Sequence, residues 1–101
     1  MASNYIKPDD VHSPKDRWVL IAVLDAAKED ECALALGRWD NGAPVLAMRW
    51  NGYKGHHLGN PQSRGIPTWF IVPEKYNDAI LQHGGLSAET LTLARSFIKT
   101  K

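Results

Sequence analysis

Little in this chain points to a specialised environment. A single cysteine, Cys32, among 101 residues excludes an internal disulfide framework and any cysteine-based zinc site, and it suits a reducing cytosol. Hydrophobic runs are short. The longest, Trp18 to Leu24, has seven residues, well below the ~20 needed to span a bilayer. No basic, apolar, small-residue leader opens the sequence, so the expectation is a cytoplasmic protein without a membrane segment. A large excess charge is also missing, and a formal net charge of +1 disfavours wholesale binding to polyanions. What is present is ordinary: 44% hydrophobic and 23% charged residues, the composition of one small domain. A chain of this length buries roughly 60–70% of its unfolded surface, enough for a core without staples.

The charge balance conceals an uneven distribution. Residues 1–31 hold four Lys/Arg against seven Asp/Glu, whereas residues 32–72 hold four against one, with His56 and His57 besides. An acidic front and a basic middle either attract each other within the fold or leave an anion site in the middle.

Hydrophobic periodicity divides the rest of the chain. Residues 1–16, with two prolines and no apolar period, read as an N-terminal arm, and residues 17–101 read as a single α+β domain. Arg17–Leu24 is apolar on both alternating faces, the pattern of an inner strand covered on each side. The polar stretch 25–31 reads as either a loop or the start of a short helix. Two alternating runs, Cys32–Trp39 and Pro44–Trp50, flank Asn41-Gly42, a type I′ hairpin signal because both central residues of that turn need positive φ. With Asn41 and Gly42 as the central pair, Trp39 faces Pro44, and Arg38 and Arg49 share one sheet face. The other face then carries Ala33, Ala35, Gly37, Trp39, Leu46, Met48 and Trp50. Small residues beside large rings predict that this second face is core.

Residues 51–67 contain four glycines and two prolines without any period, a loop longer than the ~12–15 residues beyond which loops are usually functional or disordered. A strand is expected at Thr68–Val72. Pro73 suits the first position of a helix running to His83, with Tyr76, Ala79 and Ile80 on one stripe. Gly84-Gly85 ends it. Ser87 then caps a second helix to about Lys99, with Leu91, Ala94 and Ile98 at helical spacing. Strands followed by helices predict an α+β fold: an antiparallel sheet of about four strands, with two C-terminal helices packed on one face. Cover for the other face comes either from a second copy of the chain or from the arm and the long loop.

Candidate chemistry gathers in two places. Three Arg-Trp dipeptides (17–18, 38–39 and 49–50) put Trp on one strand face and Arg on the other. The Arg side chains then either solubilise an outer face or track a phosphate backbone. Core Trp rings cannot stack on bases, which makes nucleic acid the less favoured ligand. In the loop, glycines let backbone N–H groups approach an anion. Together with Arg49, the loop residues Tyr53, Lys54, His56, His57, Asn60, Ser63 and Arg64 form the candidate ligand-binding set. The glycines match neither the phosphate-loop pattern nor the dinucleotide fingerprint. Adjacent His56 and His57 make a poor chelate with no carboxylate at ligand spacing, so neither a metal nor another cofactor is expected. Cys32, set in an apolar alternation, reads as an inert thiol.

The runs Gly37-Arg38-Trp39-Asp40, Arg49-Trp50-Asn51-Gly52 and Leu58-Gly59-Asn60-Pro61-Gln62-Ser63-Arg64-Gly65-Ile66-Pro67-Thr68-Trp69-Phe70 resemble runs in a family of short, uncharacterised bacterial proteins. The likeness covers about the middle half of the chain. It implies a bacterial origin, in an accessory or mobile gene, and brings no activity or site residue with it. Three functional readings follow from the residues. One is a non-catalytic module binding an anionic ligand through loop 51–67 and the Arg38/Arg49 face. The second is a homodimeric interaction module. The third is a small metal-free hydrolase or nuclease using His56 or His57 as general base, with Arg64 stabilising negative charge.

Overall fold

Positive φ at Asp40 (53°) and Asn41 (59°), with the Gly42 amide donating to the Trp39 carbonyl at 2.9 Å, forms the turn of the central hairpin. The type I′ pair is therefore Asp40-Asn41, one residue earlier than the Asn-Gly signal implies. Both side chains tolerate the left-handed region. In the computed structural model, which describes residues 4–98, β2 (Cys32–Trp39) pairs with β3 (Pro44–Trp50) through Arg38↔Pro44, Leu36↔Leu46, Leu34↔Met48 and Ala33↔Arg49. The expected register, Trp39 opposite Pro44, is off by one, because the connection holds one residue more than a two-residue turn at Asp40-Asn41 needs. A one-residue slip turns every side chain of β3 to the opposite face. Arg38 and Arg49 therefore lie on opposite faces, not on a common one. Trp50 leaves the expected core face, while Arg49 enters it.

The sheet is antiparallel with strand order β1-β2-β3-β6, where β1 is Trp18–Asp25 and β6 is Phe70–Ile71. It is followed by α1 (Asn77–His83) and α2 (Ala88–Phe97), giving the expected α+β architecture. β1 is an edge strand, not an inner one. Its apolar faces are both covered from above and below, and this is what the sequence pattern reported. Register shifts after Leu20 and after Val23 put bulges in it, a device that blunts an exposed edge.

One face of the sheet meets the helices. Leu24, Leu34, Leu36, Leu46 and Val72 pack with Leu81 of α1 and with Ala94 and Ile98 of α2 and its end. The second helix begins at Ser87 as expected, and its hydroxyl accepts from the Thr90 amide at 3.2 Å. Ser87→Ala should cost about 0.5–2 kcal/mol, read as a lowered urea midpoint at unchanged slope; an unmoved midpoint would mean that water caps the helix equally well. The first helix departs from expectation. Pro73 leads into a 3₁₀ turn, Glu74–Tyr76, before α1. Its three-residue repeat rotates the stripe, so Tyr76 and Ala79 are exposed while Asn77 and Leu81 are buried.

The arm and the segment before β6 cover the other face. Val11 is wholly buried, and its carbonyl accepts from Trp69 Nε1 at 2.8 Å. Trp69 lies 6.1 Å from Trp18, centroid to centroid, against Ala33, Ala35 and Ala47. Small residues of β2 do accommodate large rings: Trp18 and Trp69 are buried there and Trp39 packs against them as expected, whereas Trp50 lies on the other face. The cover expected from either a partner or the arm and loop is present within one chain. The expected strand at Thr68–Val72 shortens to Phe70–Ile71. The 25–31 stretch is a turn, not a helix, with positive φ at Ala27 and Asp30. No helix among the described residues is long and apolar enough to cross a membrane.

Candidate functional site

Arg49 is the most consequential polar side chain of the molecule. It is 1% exposed, and its guanidinium donates from Nη1 to the carbonyls of Pro61 (3.3 Å) and Thr68, and from Nη2 to the carbonyl of Leu58. No carboxylate pairs with it among the described residues, and burial pushes its pKa below the ordinary arginine value. Arginine still keeps its proton in proteins, so the positive charge is held by carbonyl dipoles alone. The fork shape matters here, because a planar group with several donors can reach three separate carbonyls. Gly59 makes room for it. At φ +65°, a Cβ there would stand 2.8 Å from Arg49 Nη2 and overlap the Trp50 carbonyl.

These bonds organise loop 51–67 into two excursions from a common root. Trp50 and Asn60 exchange backbone hydrogen bonds at 2.7 and 3.0 Å, closing residues 51–59 into one excursion. Within it, Tyr53 and His56 pair backbone to backbone, their rings 5.5 Å apart, and Lys54 and Gly55 form the tip. The second excursion is a small hairpin of β4 (Gln62–Ser63) and β5 (Ile66–Pro67), closed by Thr68 N–H on the Pro61 carbonyl. Arg64, at φ 54°, and Gly65, at φ 78°, are its tip. Asn51 anchors the base of the first excursion. Buried at 2% exposure, its amide donates to the carbonyls of Ala26 (2.8 Å) and Lys28 (2.9 Å).

Of the residues expected to bind ligand, Arg49 lies inside the protein with its Nη donors engaged. Tyr53, Lys54, His57, Asn60, Ser63 and Arg64 are exposed, and His56 is half-buried against Tyr53. No hydrogen bond or ion pair to another described residue engages the Lys54, His57 or Arg64 side chain. The two ion pairs described are Arg17–Asp40 (3.7 Å) and Arg95–Asp78 (3.2 Å). Neither joins an acidic residue of the front to a cation of the middle. From Asn41 to Pro73 the chain contains no Asp or Glu at all.

Sequence reasoning missed the groove at the root of both excursions. The slip in register puts Trp50 (55% exposed) and Phe70 (57% exposed) on one face of β3 and β6. There they flank a groove of about 440 Å³ lined also by Cys32, Met48, Asn60 and Pro61. A two-residue turn at either Asp40-Asn41 or Asn41-Gly42 would leave Trp50 on the face of Ala33 and Ala35; the extra residue that separates Arg38 from Pro44 moves it to the other face, and no local signal announces that residue. Burial raises the Cys32 thiol above its ordinary range, with the Asp25 carboxylate adding to the shift and a backbone hydrogen bond involving Arg49 opposing it. A protonated thiol is a poor nucleophile. Neither histidine bonds a carboxylate, and no cluster of three metal-ligating His, Cys, Asp or Glu side chains exists among the described residues.

The chain is thus an α+β domain with a carbonyl-riveted double loop beside an aromatic groove. Comparisons with protein-family models, with curated proteins and with solved structures found no match.

Proposed function

We propose that this domain is a non-catalytic binding module for anionic ligands, with loop 51–67 as its contact surface. The observation that carries this reading is the pair of exposed cations, Lys54 and Arg64, each at the tip of an ordered turn within a carboxylate-free stretch of 33 residues, Asn41 to Pro73. Tips ordered by backbone pairing and by Arg49 present charge without a large entropic cost on binding. Arg49 itself supports the surface and does not contact the ligand, and Arg38, which donates to the Gly42 carbonyl at 3.0 Å, belongs to the hairpin turn. The same reading places the protein in the cytosol, where its free thiol stays reduced, and in the bacterial family that its middle segment resembles.

The test is calorimetric titration with inorganic polyphosphate at low salt. Lys54→Ala with Arg64→Ala should weaken binding about tenfold or more, the loss of at least ~1.4 kcal/mol. The melting temperature should stay within about 2 °C, since exposed substitutions away from structural features move stability little. Undiminished affinity in the double variant would overturn the assignment of this surface.

A further inference from the structure

We propose that the Trp50–Phe70 groove stacks the bases of a single-stranded nucleic acid while Lys54 and Arg64 hold its phosphates; the inference rests on the anion-binding reading above.

Three observations converge on this ligand. First, Met48↔Phe70 pairing puts Trp50 diagonal to Phe70 on the same sheet face, a relation that sets backbone positions roughly 7–8 Å apart. Two half-exposed rings on neighbouring strands form a platform for successive bases, and every base has a π-face, so the platform tolerates any sequence. Second, apart from Arg49 and Asn60 the groove lining is apolar, as stacking requires, and exposed Asn60 has an amide able to meet a base edge.

Third, the charge is complementary and close to the groove along the chain. Both cation-bearing turns spring from the groove wall. Arg64 lies three residues beyond Pro61 and Lys54 four beyond Trp50, so their backbones stay within about 14 Å of the groove even if fully extended. A phosphate chain leaving stacked bases therefore meets a cation on either excursion. The carboxylate-rich 25–31 turn adjoins the first excursion, where the Asp30 amide donates to the Gly52 carbonyl at 3.1 Å. It confines the favourable surface to a few phosphates. Duplexes keep their bases stacked internally, so this platform selects single strands.

The test uses fluorescein-labelled oligo(dT) of about twelve nucleotides, within the site sizes usual for single-strand binders, followed by anisotropy. Wild-type protein should bind it at least about tenfold more tightly than the same strand in duplex. Trp50→Ala and Phe70→Ala should each lower affinity about fivefold or more, the lower end of a lost stacking contact, while the melting temperature holds. Two neutralised phosphates predict a slope of log K against log salt near −1.4, reduced towards zero in the Lys54→Ala, Arg64→Ala variant. Polyphosphate binding as tight as oligo(dT), with Trp50→Ala silent for both, would overturn the nucleic-acid proposal and leave the anion-binding module standing. Binding of neither probe would overturn both. A concentration-dependent mass in sedimentation that Trp50→Ala abolishes, without oligonucleotide binding, would assign the groove to a second copy of the chain instead.

Discussion

Arg49→Ala is expected to lower the melting temperature by about 12 °C or more, corresponding to at least ~3 kcal/mol in a domain of this size. Truncation removes the donors to Leu58, Pro61 and Thr68 at once, and each hydrogen bond to a charged group contributes about 1.5–3 kcal/mol net. Water can reach some of those carbonyls once the excursions open, which is why the expected floor lies below the roughly 4.5–9 kcal/mol that three such bonds sum to. Arg49→Lys should fall between the two, because a single ammonium keeps the charge but cannot span three carbonyls with the guanidinium's fork. Amide exchange gives a second readout: residues 51–68 should lose protection before β1 and β2 do. A melting temperature within about 2 °C of wild type would mean that the carbonyls rehydrate at no cost, and the excursions would then be held by backbone pairing alone.

Gly37→Ala should destabilise by about 2–3 kcal/mol, the upper part of the range for overpacking a filled core. A Cβ at residue 37 would fall within the Trp18 ring and 2.6 Å from the Val19 carbonyl. The ring is buried and packed near Trp69, 6.1 Å away between centroids, so retreat is costly, and the carbonyl belongs to the paired strand. The near-ultraviolet circular dichroism of the coupled indoles should change in the same variant. Trp18→Phe combined with Gly37→Ala separates the two obstacles, because the smaller ring lacks the overlapping atoms while the Val19 carbonyl remains. Partial recovery, with a coupling energy of roughly 0.5–3 kcal/mol, is the expected result. Strictly additive losses would show that Gly37 is required by the backbone contact and not by Trp18.

The alternation of β2, the turn residues after it and the Ser87 cap each report a local preference, and all three were legible in the chain. So was the need for small residues in β2 opposite large rings, although not which rings. The register was not legible, for a definite reason. Asp40, Asn41 and Gly42 all tolerate positive φ, and a two-residue turn at either pair leaves the same face of β3 beside Ala33 and Ala35; the observed connection carries one further residue, which local chemistry does not announce. The choice depends on which face of β3 is buried. Arg49 on the inward face finds the carbonyls of Leu58, Pro61 and Thr68, supplied by residues 9–19 positions further along. Only closure of loop 51–67 brings those acceptors together. A buried arginine without a carboxylate is invisible to a reading that assigns charges to surfaces.

The candidate site divides along the same line. Lys54 and Arg64 were identifiable because Gly55 and Gly65 beside them mark turns, and a turn tip exposes its side chains. Trp50 and Phe70 were not, because an aromatic residue in an alternating strand belongs to whichever face the register turns inward. Local composition therefore determined the α+β class, the order of elements, the turns and the exposed cations, since each depends on interactions between near neighbours. The register, the burial of Arg49, the cover of the second sheet face by Val11 and Trp69, and the groove beside Trp50 were decided by tertiary structure. They depend on groups distant in sequence, whose combined hydrogen bonds and burial outweigh the bare two-residue turn that local chemistry favours.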